Sequence, residues 1–161
     1  MTRESFKTLF DNHFDSVRNY IYYRSGDKEL ATDIAQETFL KVWEKQMKID
    51  DSGSSALLYK MAGNLFISHY RRNKLDLNFK LNYKHNFSNQ TPQDVLQYEE
   101  LKTKYDIALA KMPEKQRIVF MMSRMDKLKY HEIADKLGLS TKAIEKRMKL
   151  ALAYLRKKLD Y

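Results

Sequence analysis

Apolar residues recur along this chain at intervals of three and four, and almost nowhere in the alternation that marks a strand. Phe6, Leu9, Phe10, Val17, Tyr20 and Ile21 make one face of a helix. Ser25, Gly26 and Asp27 interrupt that pattern, and a second helix is expected from Leu30 onward. Asp51 to Ser55, Asp-Ser-Gly-Ser-Ser, reads as a loop by composition. A third helix is predicted over 56–74, with Leu57, Leu58, Met61, Leu65 and Phe66 apolar and Arg71, Arg72 and Lys74 at its end.

The middle of the chain changes character. Residues 76–93 are rich in Asn and Gln and carry no sustained helical stripe, so they read as a flexible linker. Thr91 offers a helix cap, Pro92 suits a first helical position, and Asp94 stands near the positive end of the helix dipole. Met112 and Pro113 are expected to open a middle helix with Ile118, Val119, Met122 and Met125 in the core. Ile133, Ala134 and Leu137 then recur at helical spacing, Gly138 follows where a helix must stop, and Ser140 can cap the next one. Ala134 and Gly138 are small where two helices are expected to cross closely. Ile144 and Met148 give the last helix a buried stripe. The fold expected is all-α: two small helical domains, 1–75 and 94–161, joined by the linker 76–93, the second containing a helix-turn-helix.

Charge sharpens this picture. The 161 residues carry 30 Lys and Arg against 21 Asp and Glu, a formal +9 that favours a polyanionic partner. Residues 1–75 hold +2, the linker +1 and 94–161 the remaining +6, so the excess travels with the helix-turn-helix. No Cys is present, which excludes disulfides and thiolate metal sites. His13, His69, His85 and His131 are too far apart in sequence for a recognisable metal motif, and neither a metal nor a cofactor is expected. Without a leader pattern or an apolar run long enough to span a bilayer, the expectation is a cytoplasmic protein with no membrane insertion of its own.

Three groups of residues stand out as candidate chemistry. Asp33, Gln36 and Glu37, at i, i+3 and i+4, share one helix face. Solvation explains such a face, and docking of a basic partner is the sharper reading. No His, Ser or Gly-rich loop accompanies the carboxylates, which argues against an enzyme. The Arg71, Arg72 and Lys74 cluster either offsets a helix dipole or grips phosphates. On the last helix Lys142, Glu145, Lys146, Arg147 and Lys149 are left for solvent or DNA, with a plain surface hairpin as the bland alternative.

DIAQETFLKVW, LLYKMAGNLFISHYRRNK, ALAKMPEKQRIVF and LKYHEIADKLGLSTKAIEKRM, in this order and with the linker between the second and third, resemble the bacterial extracytoplasmic-function (ECF) sigma factors of the sigma-70 family. The resemblance covers nearly the whole chain. It implies a subunit that binds core RNA polymerase through the β′ clamp helices and the β flap, directs it to promoter DNA, and is commonly held by an anti-sigma factor. Asp33, Gln36 and Glu37 match the family's clamp-helix contacts, with Phe39 or Trp43 as apolar anchors at the edge, core packing being the favoured alternative for Trp43. Asn64, with Ser52 and Ser54 in the preceding loop, matches the pocket for an unpaired minus-ten base, and Lys60, Arg71 and Arg72 match phosphate contacts. Ser140, Thr141, Lys142, Glu145, Lys146, Arg147 and Lys149 fall on the helix that reads the minus-thirty-five element.

Four positions depart from the family. A Gly is usual at Lys127, a Ser at Lys129, a basic residue at Glu145 and often an Arg at Leu150. The turn before the helix-turn-helix is therefore expected to lack an easy positive φ and a side-chain cap. Glu145 can accept from a cytosine amino group and so alter the sequence read. A helix-turn-helix regulator that ignores polymerase is the alternative function.

Overall fold

The computed structural model describes residues 1–49, 54–73 and 92–160. Among them it has seven α-helices and no strand: α1 (Arg3–Ser25), α2 (Lys28–Glu44), α3 (Ser54–Asn73), α4 (Pro92–Lys111), α5 (Glu114–Arg124), α6 (Tyr130–Leu137) and α7 (Thr141–Leu159). Local chemistry sets most of the ends. Thr2 and Ser5 cap α1 reciprocally, and Gly26 closes it at φ 71° with its N–H on the Tyr22 carbonyl. Asp27 accepts from the Glu29 and Leu30 amides, so α2 begins two residues before Leu30. Such a cap contributes about 1 kcal/mol.

Helices α1, α2 and α3 enclose the first core, built on Val17, Ile21, Ala31, Ile34, Phe39, Val42, Leu58, Ala62 and Phe66. An aromatic stack of Phe6, Phe10, Phe14 and Phe39 fills one end, with ring centroids 4.5–6.5 Å apart. Gly63 lets α3 approach α1: a Cβ there would meet Arg24 Nη1 at 3.1 Å and the Tyr20 hydroxyl at 3.3 Å.

Helices α4 to α7 enclose the second core around Leu109, Met112, Val119, Met122, Ile133, Ile144, Met148 and Ala151. Pro113 stands at the N-cap of α5, as its fixed φ suits. Ser140 caps α7 by accepting from the Ala143 amide at 3.2 Å.

Several sequence expectations change. Ser54 and Ser55 belong to α3 rather than to a loop, and Pro92 and Gln93 belong to α4. Met125 is exposed at the end of α5 rather than buried with Ile118, Val119 and Met122. Gly138 has open space where a Cβ would be, so it serves the left-handed turn at φ 63° and not a close helix crossing. The Thr91 cap, Lys74 and residues 76–91 of the expected linker lie outside the described residues.

The two halves pack on each other, α1 against α5 and α3 against α6. No helix among the described residues is long and apolar enough to cross a membrane.

Candidate functional site

On α2 the face expected to dock a partner is open. Asp33 and Gln36 are exposed, and Glu37 is half-buried with its Oε1 2.9 Å from Lys41 Nζ. Phe39, an expected anchor, is 1% exposed and belongs to the core. Trp43 is half-buried, its ring 5.0 Å from that of Phe6. Phe39 therefore cannot be the apolar anchor of this face, whereas Trp43 packs on Phe6 and keeps part of its ring exposed at the edge. Leu40, 53% exposed and seven residues after Asp33, completes the i, i+3, i+4, i+7 row. Its spacing in the sequence already marked it, but an apolar residue beside buried Phe39 reads as core until the helix is rotated correctly.

On α3, Leu57, Lys60, Asn64, Ile67 and Arg71 are all exposed and, at 3.6 residues per turn, fall within an arc of about 80°. Arg72 is exposed beside that stripe and its Nε donates to the Ser68 carbonyl at 3.4 Å. Lys60, Asn64 and Arg71 thus share one face, with Arg72 on its flank. Ile67 and Leu57, which the sequence reading did not assign to this face, supply apolar surface between the polar groups. Ser52 lies outside the described residues, and Ser54 is the first residue of α3.

The second basic face is on α7. Thr141, Lys142, Glu145, Lys146 and Lys149 are exposed within an arc of about 140°, while Ile144, Met148, Ala151 and Leu155 point inward. The Ser140 side chain is engaged as the cap. Arg147 departs from its expected company: it is half-buried on the opposite side of α7. There it lines a cleft of about 630 Å³ with Tyr20 and Arg24 of the first half and Leu137, Leu139 and Leu150 of the second.

The turn into α6 shows how the departures at Lys127 and Lys129 are absorbed. Lys127 takes the left-handed conformation, φ 56°, that Gly adopts without cost. Lys129 contributes no side-chain cap, and Glu132 instead reaches back to accept from the Lys129 amide at 2.7 Å. That restores half of a capping box.

Sequence reasoning missed the seam between the halves entirely. Arg117 of α5 is 6% exposed; its Nε donates to the Tyr23 carbonyl at 3.0 Å and its Nη2 to the Arg24 carbonyl at 3.2 Å. Its Nη1 donates to Met112 and Ala110 carbonyls at 2.9 and 3.4 Å. Burial lowers its pKa from the ordinary guanidinium value, and neighbouring Glu114 partly offsets this. Asp126 Oδ1 accepts the Tyr23 hydroxyl at 2.6 Å and the Asn19 amide at 3.3 Å. Arg24 donates through Nε to Glu114 Oε1 at 2.6 Å and lies over the Phe66 ring at 4.6 Å. Lys136 of α6 sits 5.4 Å from the Tyr59 ring centre on α3, and burial lowers the pKa of its ammonium.

Among the described residues no group of three or more His, Cys, Asp or Glu is placed to hold a metal. The chain matches two family models, sigma-70 region 2 over residues 9–75 and sigma-70 region 4 over residues 104–155. It is 26% identical over 159 residues to the RNA polymerase sigma factor YlaC of Bacillus subtilis (strain 168), covering 96% of this chain and 92% of that one. It is also 26% identical over 144 residues to the ferric citrate uptake sigma factor FecI of Escherichia coli (strain K12), covering 88% and 83%. In structure it is similar to the sigma factor RpoE solved with the anti-sigma factor NepR from Bartonella quintana, at TM-score 0.66 and 18% identity over 98% of both chains. CnrH, solved with the cytosolic domain of CnrY, follows at TM-score 0.64 and 22% identity, covering 99% of this chain and 90% of that one. With both sigma-70 regions matched in order and curated ECF sigma factors as relatives, this chain belongs to the sigma-70 family as an RNA polymerase sigma factor of the ECF type.

Proposed function

We propose that this sigma factor works as two units, 1–75 and 94–161 joined by 76–93, that dock on core polymerase and grip a promoter at two places. The observation that carries the reading is the exposure of three separate faces, on α2, α3 and α7, each polar on a helix whose other side is core. The α2 face, Asp33, Gln36, Glu37 and Leu40, suits the basic β′ clamp helices: charge-assisted hydrogen bonds surround one apolar contact. The second unit also meets the β flap.

The α3 face takes the minus-ten element. Asn64 offers a donor and an acceptor to an extruded base, and Lys60, Arg71 and Arg72 hold the backbone. Strand separation here needs no nucleotide hydrolysis. Capture of unpaired bases offsets a cost of a few kcal/mol, so the protein acts as an initiation factor and not as an enzyme. On α7, Thr141, Lys142, Glu145 and Lys146 read minus-thirty-five base edges, while Ser140 and Lys149 serve the backbone and Arg147, turned into the cleft on the opposite side, is left out of this face. The chain acts in the cytoplasm, and an anti-sigma protein is the regulatory partner, as NepR is for the similar RpoE structure.

Transcription by core polymerase with the purified chain, on fragments from its own genome, tests this. Specific transcripts are expected, with DNA affinity falling roughly tenfold per doubling of salt if about four phosphates are neutralised. No transcript, together with tight binding of the chain alone to duplex DNA, would instead establish a polymerase-independent regulator.

A further inference from the structure

Among the basic residues early on α7, Arg147 alone turns away from the proposed DNA face and into the cleft. It is half-buried, and among the described residues it makes neither a hydrogen bond nor an ion pair. A guanidinium drawn partly out of water without a partner carries a desolvation cost that a bound anion would offset.

The cleft has the size and the lining of a small-ligand site. Its volume of about 630 Å³ falls within the roughly 300–1,000 Å³ of such sites. Ile118, Leu137, Leu139 and Leu150 make an apolar wall, on which Leu150 is left 45% exposed. Arg24, Lys115 and Arg147 stand against a single carboxylate, Glu114. That carboxylate is already engaged, because Arg24 Nε donates to Glu114 Oε1 at 2.6 Å. Arg24 also donates through Nη1 to the Tyr20 hydroxyl at 3.2 Å and lies over the Phe66 ring. It is thus a fixed part of the wall, and Arg147 and Lys115 keep their charge for a ligand.

The lining also selects the body of that ligand. Tyr20 contributes the one ring, and it is 9% exposed, packed on Tyr59 and covered by Arg24, so the cleft offers no platform for a nucleobase. The rest of the apolar wall is aliphatic. Such a wall holds a flexible hydrocarbon by burial alone, without directional contacts.

We infer that this cleft binds a soluble acyl anion, an aliphatic chain ending in a carboxylate or a phosphate, with its head on the Arg147 guanidinium and its chain along Leu137, Leu139 and Leu150. Arginine presents two parallel donors that match either head. Thr141, Lys142, Glu145 and Lys146 stay exposed outside the cleft, so the site is separate from the DNA face.

Isothermal calorimetry on the full chain, below micelle-forming concentrations, tests this with hexanoate, octanoate and decanoate, with octyl phosphate, and with uncharged octanol. Affinity is expected to rise about threefold per added CH₂ and to fall at least about tenfold from octanoate to octanol. Arg147→Gln and Leu150→Asn should each weaken decanoate binding about tenfold. Lys157→Gln removes the same charge as Arg147→Gln from an exposed position outside the cleft and should leave binding unchanged. Circular dichroism confirms the helical content of each variant, and exposed Leu150 keeps the site testable if Arg147→Gln does not fold. Affinity independent of chain length, or an equal loss in Lys157→Gln, overturns the site in favour of diffuse attraction to a basic protein. Binding to phosphatidylglycerol vesicles with no free anion bound overturns the soluble ligand in favour of a membrane surface. Absence of binding by every anion overturns the inference outright.

Discussion

Glu37 Oε1 lies 2.9 Å from Lys41 Nζ, one turn along α2, so one of the two carboxylates on the docking face is already partnered before any protein arrives. An exposed pair at this spacing contributes only about 0.3–0.5 kcal/mol, and a clamp helix can displace Lys41 readily. Asp33, Gln36 and Leu40 carry no such tie in this row.

The α2 face therefore divides into charge and an apolar anchor. Charge reversal at Asp33 and Glu37 together should abolish co-purification with core polymerase while leaving the helical signal unchanged. Leu40→Ala should weaken association by about tenfold, a loss of 1–2 kcal/mol typical of an exposed apolar contact becoming buried. Phe39→Ala behaves differently: it should cost about 3–5 kcal/mol of stability, because its ring fills the aromatic end of the first core. Wild-type binding by Leu40→Ala would remove that residue from the interface.

Asn64 stands exposed in the middle of the α3 stripe. Asn64→Ala should reduce promoter opening, read by permanganate reactivity of unpaired thymines, at least about tenfold more than initial duplex binding. Equal losses in both measurements would assign it a structural role.

Lys127 holds a left-handed φ of 56° that costs a side-chain-bearing residue about 1 kcal/mol or more. Lys127→Gly removes that strain but also loosens the unfolded chain, so the net gain should be about 0.5–1 kcal/mol in urea unfolding. Lys127→Val, β-branched at the same φ, should destabilise. If Gly and Val behave alike, the turn is not under strain.

Burial holds the Asp126 carboxyl above its ordinary value of 3.8, against the pull of the Tyr23 and Asn19 hydrogen bonds and of nearby Lys136. The sign follows from linkage: the folded chain binds the proton more tightly than the unfolded one, so ionisation of Asp126 opposes folding. Its contribution should improve as pH falls through the raised value and level off below 3.8. Asp126→Asn keeps an oxygen for Tyr23 and cannot ionise. Melting temperatures measured in steps from pH 4 to 7 should show wild type gaining on this variant toward acid. A constant difference would mean that Asp126 does not titrate in this window.

Much of this molecule was legible in one dimension because the deciding interactions are local. Apolar spacing of three and four marked α1, α3, α6 and α7, while the start of α4 was marked only by its capping residues and the ends of α2, α4 and α5 were not fixed. Asp27, Pro92, Gly138 and Ser140 act through amides or dihedrals within a few residues of themselves, which is why their roles as breaks and caps could be read directly. The four motifs and their order likewise sufficed for the family, and the α2, α3 and α7 residues they point to are mostly exposed. What periodicity could not resolve was rotation about a helix axis: Phe39 and Leu40 are neighbours in sequence, yet packing against Phe6, Phe10 and Phe14 buries one and leaves the other to solvent. Arg147 turned into the cleft for the same reason. The seam lay furthest from view. Tyr23 and Asp126 are 103 residues apart, and Arg117 reaches Tyr23 across 94. No local pattern distinguishes a surface arginine at the start of a helix from one whose charge joins two helix ends, because that depends on which ends the tertiary packing brings together.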